Sequence, residues 1–164
     1  MDSSKIAEKF LQAYRFRVVE AHLHGDVLDF GGNKGELENY VHNGSYTVAN
    51  YDHSTIAGKN FDTIVVLAVI EHIHVEEVHE IFKKFRGILR DSGKIVITSP
   101  TKLAQPVLEG LALCNIIDKK NIQEHKHYWD KAELYALAAQ SNFKVREYRK
   151  FQFGFNQFAI FQHE

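Results

Sequence analysis

The 164-residue sequence predicts an α/β fold: three layers around a mostly parallel sheet that ends in an antiparallel hairpin. Three observations predict it. Short apolar strand-like runs alternate with amphipathic helical stretches. The run Asp62–Val69 (DTIVVLAV) is almost wholly apolar and rich in β-branched residues, as a strand covered on both faces must be. Two strand-like segments, about 143–151 and 156–162, then follow one another closely, and such a pair must run antiparallel.

The elements follow in order. Residues 4–21 read as a helix, with Ile6, Phe10, Tyr14 and Val18 recurring every fourth position. Gly25 precedes a first short strand, Val27–Phe30, and the glycine-rich turn Gly31-Gly32-Asn33-Lys34-Gly35 leads into a short helix ending near His42. Asn43-Gly44 signals a turn, and Tyr46–Tyr51 reads as a second strand. After the central strand, residues 75–90 form a helix with Val75, Val78, Phe82, Phe85 and Leu89 on one stripe. Asp91-Ser92-Gly93 ends it, and Lys94–Ser99 is another buried-type strand. A helix is expected over 103–114, and another over 131–141 capped by Asp130, whose carboxylate can accept from the free first-turn amides.

Composition narrows the function classes. Twenty basic residues against twenty-one acidic ones give a net charge of −1, without the basic surplus typical of nucleic-acid binders. The lone Cys114 excludes an internal disulfide and a cysteine-only metal site. No apolar run approaches the ~20 residues that span a bilayer. MDSSKIAEKF lacks a basic segment followed by an apolar one, so no secretory signal is expected. The expectation is a single cytoplasmic domain over 1–164, with residues 1–24 forming an N-terminal helix packed on the core.

The chemistry concentrates at Asp29-Phe30-Gly31-Gly32-Asn33-Lys34-Gly35, between a strand and a helix. Glycines let the backbone turn sharply and approach a ligand, and the next helix presents unpaired amides. The alternative reading is an ordinary tight turn. The spacing fits neither the Walker phosphate loop nor the dinucleotide fingerprint. Asp52, some twenty residues on, stands where an acid can accept both ribose hydroxyls. Ten histidines include three pairs: His22/His24, His72/His74 after the central strand and His125/His127 before the last helix. His22-x-His24 and His72-x-His74 are read as structural or surface pairs rather than metal ligands, since no further ligands cluster with them.

Four blocks in order resemble the class I S-adenosylmethionine-dependent methyltransferases, in particular the small type 11/type 12 branch: VLDFGGNKGEL, YTVANYDHS, FDTIVVLAVIEHI with LRDSGKIVITSP, and EHKHYWDKAELYALAAQSNFKV. The resemblance spans about 25–163 and implies a Rossmann-like domain that methylates a small-molecule acceptor at oxygen or nitrogen. It implies cofactor contacts from Asp29, Gly31, Gly32, Asn33, Gly35, Asp52, His53, Leu67 and Ala68, with S-adenosylhomocysteine as product. The acceptor would meet Glu71, His72, Tyr128 and Trp129, with His127 or His125 as the base. Arg15 and Arg17 are candidates for the cofactor carboxylate.

The departures carry their own expectations. Asn33 replaces the usual middle glycine, and Asn142-Phe143 replaces Gly-Phe. Ala68 stands where some relatives place a metal-binding Glu, so no metal is expected. Between Asp52 and Asp62 only His53–Phe61 remain, too few for a crossover helix and strand, although an extended chain of that length spans roughly 30 Å. The sheet should therefore lack its usual third, edge strand, and residues 53–60, above all Ile56, should complete the adenine pocket. The aromatic ending FQFGFNQFAIF reads mainly as core, and its outward-facing rings are candidates for a homodimer interface. The competing reading of the whole is a non-catalytic member of this fold serving as a binding or partner subunit.

Overall fold

The computed structural model describes residues 3–50, 53–113 and 124–164. Six strands form one sheet: β1 (Val27–Phe30), β2 (Tyr46–Ala49), β3 (Phe61–Leu67), β4 (Leu89–Pro100), β5 (Phe143–Phe151) and β6 (Asn156–His163). Their order is β2-β1-β3-β4-β6-β5. β1 to β4 run parallel, while β6 is antiparallel to both β4 and β5. Among the described residues the α-helices are α1 (Ser3–Glu20), α2 (Val75–Ile88), α3 (Gln105–Leu113) and α4 (Lys131–Gln140). Between β2 and β3 the described residues hold only the 3-10 turn His53–Ile56, and β2 pairs with β1 alone. The expected loss of the third strand is thus seen in the sheet itself.

The continuous apolar strands are explained by two cores. Successive side chains of a strand point to opposite faces. Leu28, Phe30, Ile64, Val66, Ile95 and Ile97 meet α2 and α4 through Phe82, Phe85, Leu134 and Leu137. Val27, Val65 and Val96 face the other way, onto Val19, Leu23 and Leu37. Phe158 and Phe161, at 0% exposure, complete one core each.

Two boundaries differ from expectation. The helix expected over 75–90 stops at Ile88, because Leu89 turns extended and pairs with Phe61. Arg90 is then held at the base of the sheet by Asp26 (2.7 Å) and Asp62 (2.5 Å). The helix after the glycine turn is a 3-10 turn, Glu36–Tyr40. No helix among the described residues is long and apolar enough to cross a membrane.

The Asp130 cap forms as expected. Its carboxylate accepts from the Glu133 amide at 2.9 Å, Glu133 returns a bond to the Asp130 amide at 2.7 Å, and Lys102 lies 2.8 Å away. Asp130→Ala should lower stability by about 1 kcal/mol in urea denaturation, with the circular dichroism spectrum unchanged.

Candidate functional site

In a parallel sheet, ligands bind beyond the carboxyl ends of the strands, where the order reverses. Here that point lies between β1 and β3. A cavity of about 1080 Å³ opens there, a size that admits a nucleoside-sized ligand together with a second small molecule. It is lined by the glycine turn, the end of β3 (Leu67, Ala68, Val69), Glu71, His72 and His125. α1 adds Phe10, Gln12 and Arg15; α3 adds Val107 and Leu108; the β5–β6 turn adds Phe153 and Phe155.

The glycine turn is built by close approach. Gly31 sits at φ 80, and a side-chain carbon on it would stand 2.6 Å from Val69 Cγ2. At Gly32 the same atom would overlap the Asp29 carboxylate. Asp29 is 4% exposed, and burial pushes its carboxyl up to about 6. The Tyr46 hydroxyl donates to its Oδ2 at 2.5 Å and pulls the other way. Asn33 is left-handed at φ 48, a conformation Asn tolerates. The Asn50 side chain binds it twice: Asn50 Oδ1 accepts from the Asn33 amide and Asn50 Nδ2 donates to the Asn33 carbonyl, both at 2.8 Å.

The far wall is polar. Ala68, at φ 55, bends the chain away from β3, and its amide donates to the Thr98 carbonyl at 2.8 Å. This bend carries the chain into Glu71, 1% exposed, whose Oε2 has no hydrogen-bond partner among the described residues. Burial pushes the Glu71 carboxyl up to about 7, against a smaller pull from its own backbone amide and the Arg15 charge. Burial also lowers His72, and it pushes His125 down to about 4, with the His72 charge adding to the effect. Their rings meet edge-on at 4.7 Å, and His125 Nδ1 lies 2.9 Å from the Tyr128 hydroxyl. Glu71, His72 and His125 each offer one ligand atom, all within 4.8 Å of one another, and Ala68 beside them offers none.

The structure thus gathers Asp29, Gly31, Gly32, Asn33, Leu67, Ala68, Glu71, His72 and His125 around one cavity, with Arg15 among them. Asp52 lies outside the described residues, and His53 opens the turn His53–Ile56. Gly35 caps the following 3-10 turn at φ 75. His127 is placed elsewhere: its Nε2 pairs with Glu133 at 3.0 Å and its ring packs edge-on against Trp129. Trp129 is a core residue, 1% exposed, donating to the Ile70 carbonyl. Tyr128 reaches the site through His125. His74 holds the N-cap position of α2, and the Glu71 carbonyl accepts from the Lys126 and His127 amides at 2.7 and 3.3 Å. Ile56 belongs to the core beside Ala49 and Phe61, and no described side chain from residues 55–60 lines the cavity. Arg17 is exposed. Sequence reasoning missed Tyr46 and Asn50, whose roles depend on strand register, and the turn carrying Phe153, whose tie to β4 runs through Thr101 (to the Gly154 carbonyl at 2.8 Å).

The sequence matches the family described as "Methyltransferase domain" over residues 5–148. The chain belongs to this methyltransferase-domain family. No curated protein sequence matches it. Among solved structures, this methyltransferase-domain chain is similar to CalO1, a methyltransferase in calicheamicin biosynthesis in its SAH-bound form, with a TM-score of 0.69, 11% identity, and coverage of 96% of this chain and 55% of that one. The small RNA methyltransferase HEN1 gives 0.70 at 16% identity, covering 93% of this chain and 25% of that one. The SAH-bound magnesium protoporphyrin IX methyltransferase ChlM of Synechocystis gives 0.60 at 12%, covering 99% and 86%. The chain spans about half the length of the first solved chains it matches. These likenesses establish the fold, and with the family match they bear out the class I resemblance read from the four motif blocks.

The raised Glu71 carboxyl makes a stability prediction. The folded state holds the proton more tightly than the unfolded chain does, so stability falls as pH rises from about 4.5 to about 7 and is flat above. Glu71→Gln should therefore gain about 3 kcal/mol over the parent at pH 8 and nothing at pH 4, read by urea denaturation at both values.

Proposed function

We propose that this methyltransferase-domain chain moves a methyl group from S-adenosylmethionine to an oxygen or nitrogen of a small-molecule acceptor. The observation that carries the reading is the Gly31-Gly32 turn, stacked without side chains on Asp29 and Val69 at the switch point and opening into the cavity. That cradle fits the cofactor: a Cβ would fill it, a buried carboxylate lies beneath it, and the cavity has room for donor and acceptor together. When bound, the cofactor supplies a methyl group on a positively charged sulfur. The chain's own residues then divide the remaining tasks. Asp29 and Gly31–Gly35 receive the cofactor, with Leu67 and Ala68 beside it; Asp52 and His53 complete the ribose side. Glu71 and His72 face the acceptor.

Of the two histidines considered as base, His125 is the better placed. It lines the cavity, whereas His127 is paired with Glu133. Burial keeps the His125 ring neutral, with one ring nitrogen available as an acceptor, while the same shift weakens it as a base. The rim supports an acceptor with an apolar body, since Phe10, Val107 and Phe153 are exposed around the mouth. The balanced charge argues against a nucleic-acid acceptor. With Phe158 and Phe161 buried, a homodimer through the C-terminal strands would rest on Phe153, which is 98% exposed. We further take the chain as a single cytoplasmic domain with α1 as part of its site.

Calorimetry tests the reading. S-adenosylmethionine and S-adenosylhomocysteine should both bind, with Kd on the order of 1–100 μM. Gly32→Ala should weaken both at least tenfold, because its methyl displaces Asp29. Absence of binding at millimolar ligand refutes the cofactor assignment, and unchanged binding by Asp52→Ala refutes the ribose role. Binding without turnover across a broad acceptor panel supports the partner-subunit reading instead.

A further inference from the structure

We propose that Asn50 is a positioning residue: its side-chain amide acts as one more peptide unit of the β1–β2 ladder and holds the glycine turn in its ligand-receiving shape. This rests on the cofactor reading above. The backbone ladder between the two strands ends at the Phe30–Ala49 pair, and the Gly31 amide adds one bond to the Ala49 carbonyl at 2.9 Å. Beyond it, the strand partner of the turn is no longer backbone. The Asn50 side chain offers a carbonyl and an amino group side by side, as a peptide does. It accepts from the Asn33 amide and donates to the Asn33 carbonyl, both at 2.8 Å. Both bonds go to one residue, which is the left-handed one at φ 48.

The placement gives these bonds their weight. In the described residues, the link from β2 to β3 carries no α-helix, so no crossover helix packs over this side of the turn. Gly35 closes the turn on itself through the Gly32 carbonyl at 2.9 Å, but Asn33 is tied outward to β2 through Asn50. Only an amide supplies both halves of the link; a carboxylate keeps the acceptor and loses the donor. The bonds use the Asn33 backbone, so the Asn33 side chain is dispensable to them. Asn33 and Asn50 are both exposed, so removing the amide opens no void in the core.

The test compares the parent with Asn50→Ala and Asn50→Asp. Three readouts are taken: S-adenosylhomocysteine calorimetry, the thermal midpoint without ligand, and hydrogen exchange of the residue-33 amide by NMR. Asn50→Ala should weaken binding about five- to twentyfold, with the midpoint within about 2 °C of the parent and the residue-33 amide exchanging at least tenfold faster. Asn50→Asp should fall between, and should judge the link if Asn50→Ala fails to fold. Parent-like binding and exchange in Asn50→Ala overturn the proposal. If the parent itself fails to bind, the cofactor reading falls, and unchanged exchange in Asn50→Ala separately refutes the link.

Discussion

Two neighbouring parallel strands must part where they end, and the site depends on how this pair does so. β1 and β3 are adjacent, yet the chain leaving β1 returns through β2 on one side, while the chain leaving β3 proceeds to β4 on the other. Both exits use left-handed residues, Gly31 at φ 80 and Ala68 at φ 55. For alanine that conformation costs about 1 kcal/mol, offset here by the bond from its amide to Thr98. The exits begin so close together that Gly31 has no space for a side chain against Val69. What opens above them is a cleft floored by backbone, with side chains confined to its walls.

That geometry places a buried carboxylate on each side of the cleft. Asp29 projects from β1 beneath the glycine turn, and Glu71 follows the bend at Ala68. Each loses hydration, and among the described residues neither gains a full ion pair; Tyr46 gives Asp29 one hydrogen bond, and Arg15 gives Glu71 only a weaker charge interaction. Such groups are poorly explained by stability alone and are well suited to meeting a polar ligand. The backbone of Glu71 has a second task. Its carbonyl receives the amides of Lys126 and His127, so the loop that brings His125 to the cavity is pinned to the same turn that supplies Glu71.

Much of this was readable from residues in order. Strand and helix periods reflect burial, and burial on two faces writes itself into DTIVVLAV and KIVITS. The missing strand was readable because chain length is a hard limit on what a crossover can contain. The choice between His125 and His127 was not readable. The two lie two residues apart in a loop, and only the position of Glu133 on the capped α4 decides which ring is engaged. Ile56 was misplaced for a similar reason: an apolar residue in a short link can face the ligand or the core, and here the core beside Phe61 takes it. Asn50 and Tyr46 were missed because strand register, which no local motif encodes, sets their partners.

The shortened link between β2 and β3 also bears on how the chain finds its fold. Closing a loop costs conformational entropy that grows with its length, about 0.6 kcal/mol for each doubling. With residues 50–60 alone joining β2 to β3, the three strands β2, β1 and β3 are assembled from contacts near in sequence. β3–β4 and the β5–β6 hairpin are also near in sequence, with Phe61 paired to Leu89 and Phe151 to Asn156, whereas β4 must wait for β6, whose Ile160 pairs with Val96 across more than a third of the chain. Local pairings form fast and distant ones slowly. The trimming that narrows the wall beside the glycine turn therefore also keeps the strands of the binding site among the near-in-sequence pairings, leaving the docking of the C-terminal hairpin onto β4 as the distant step.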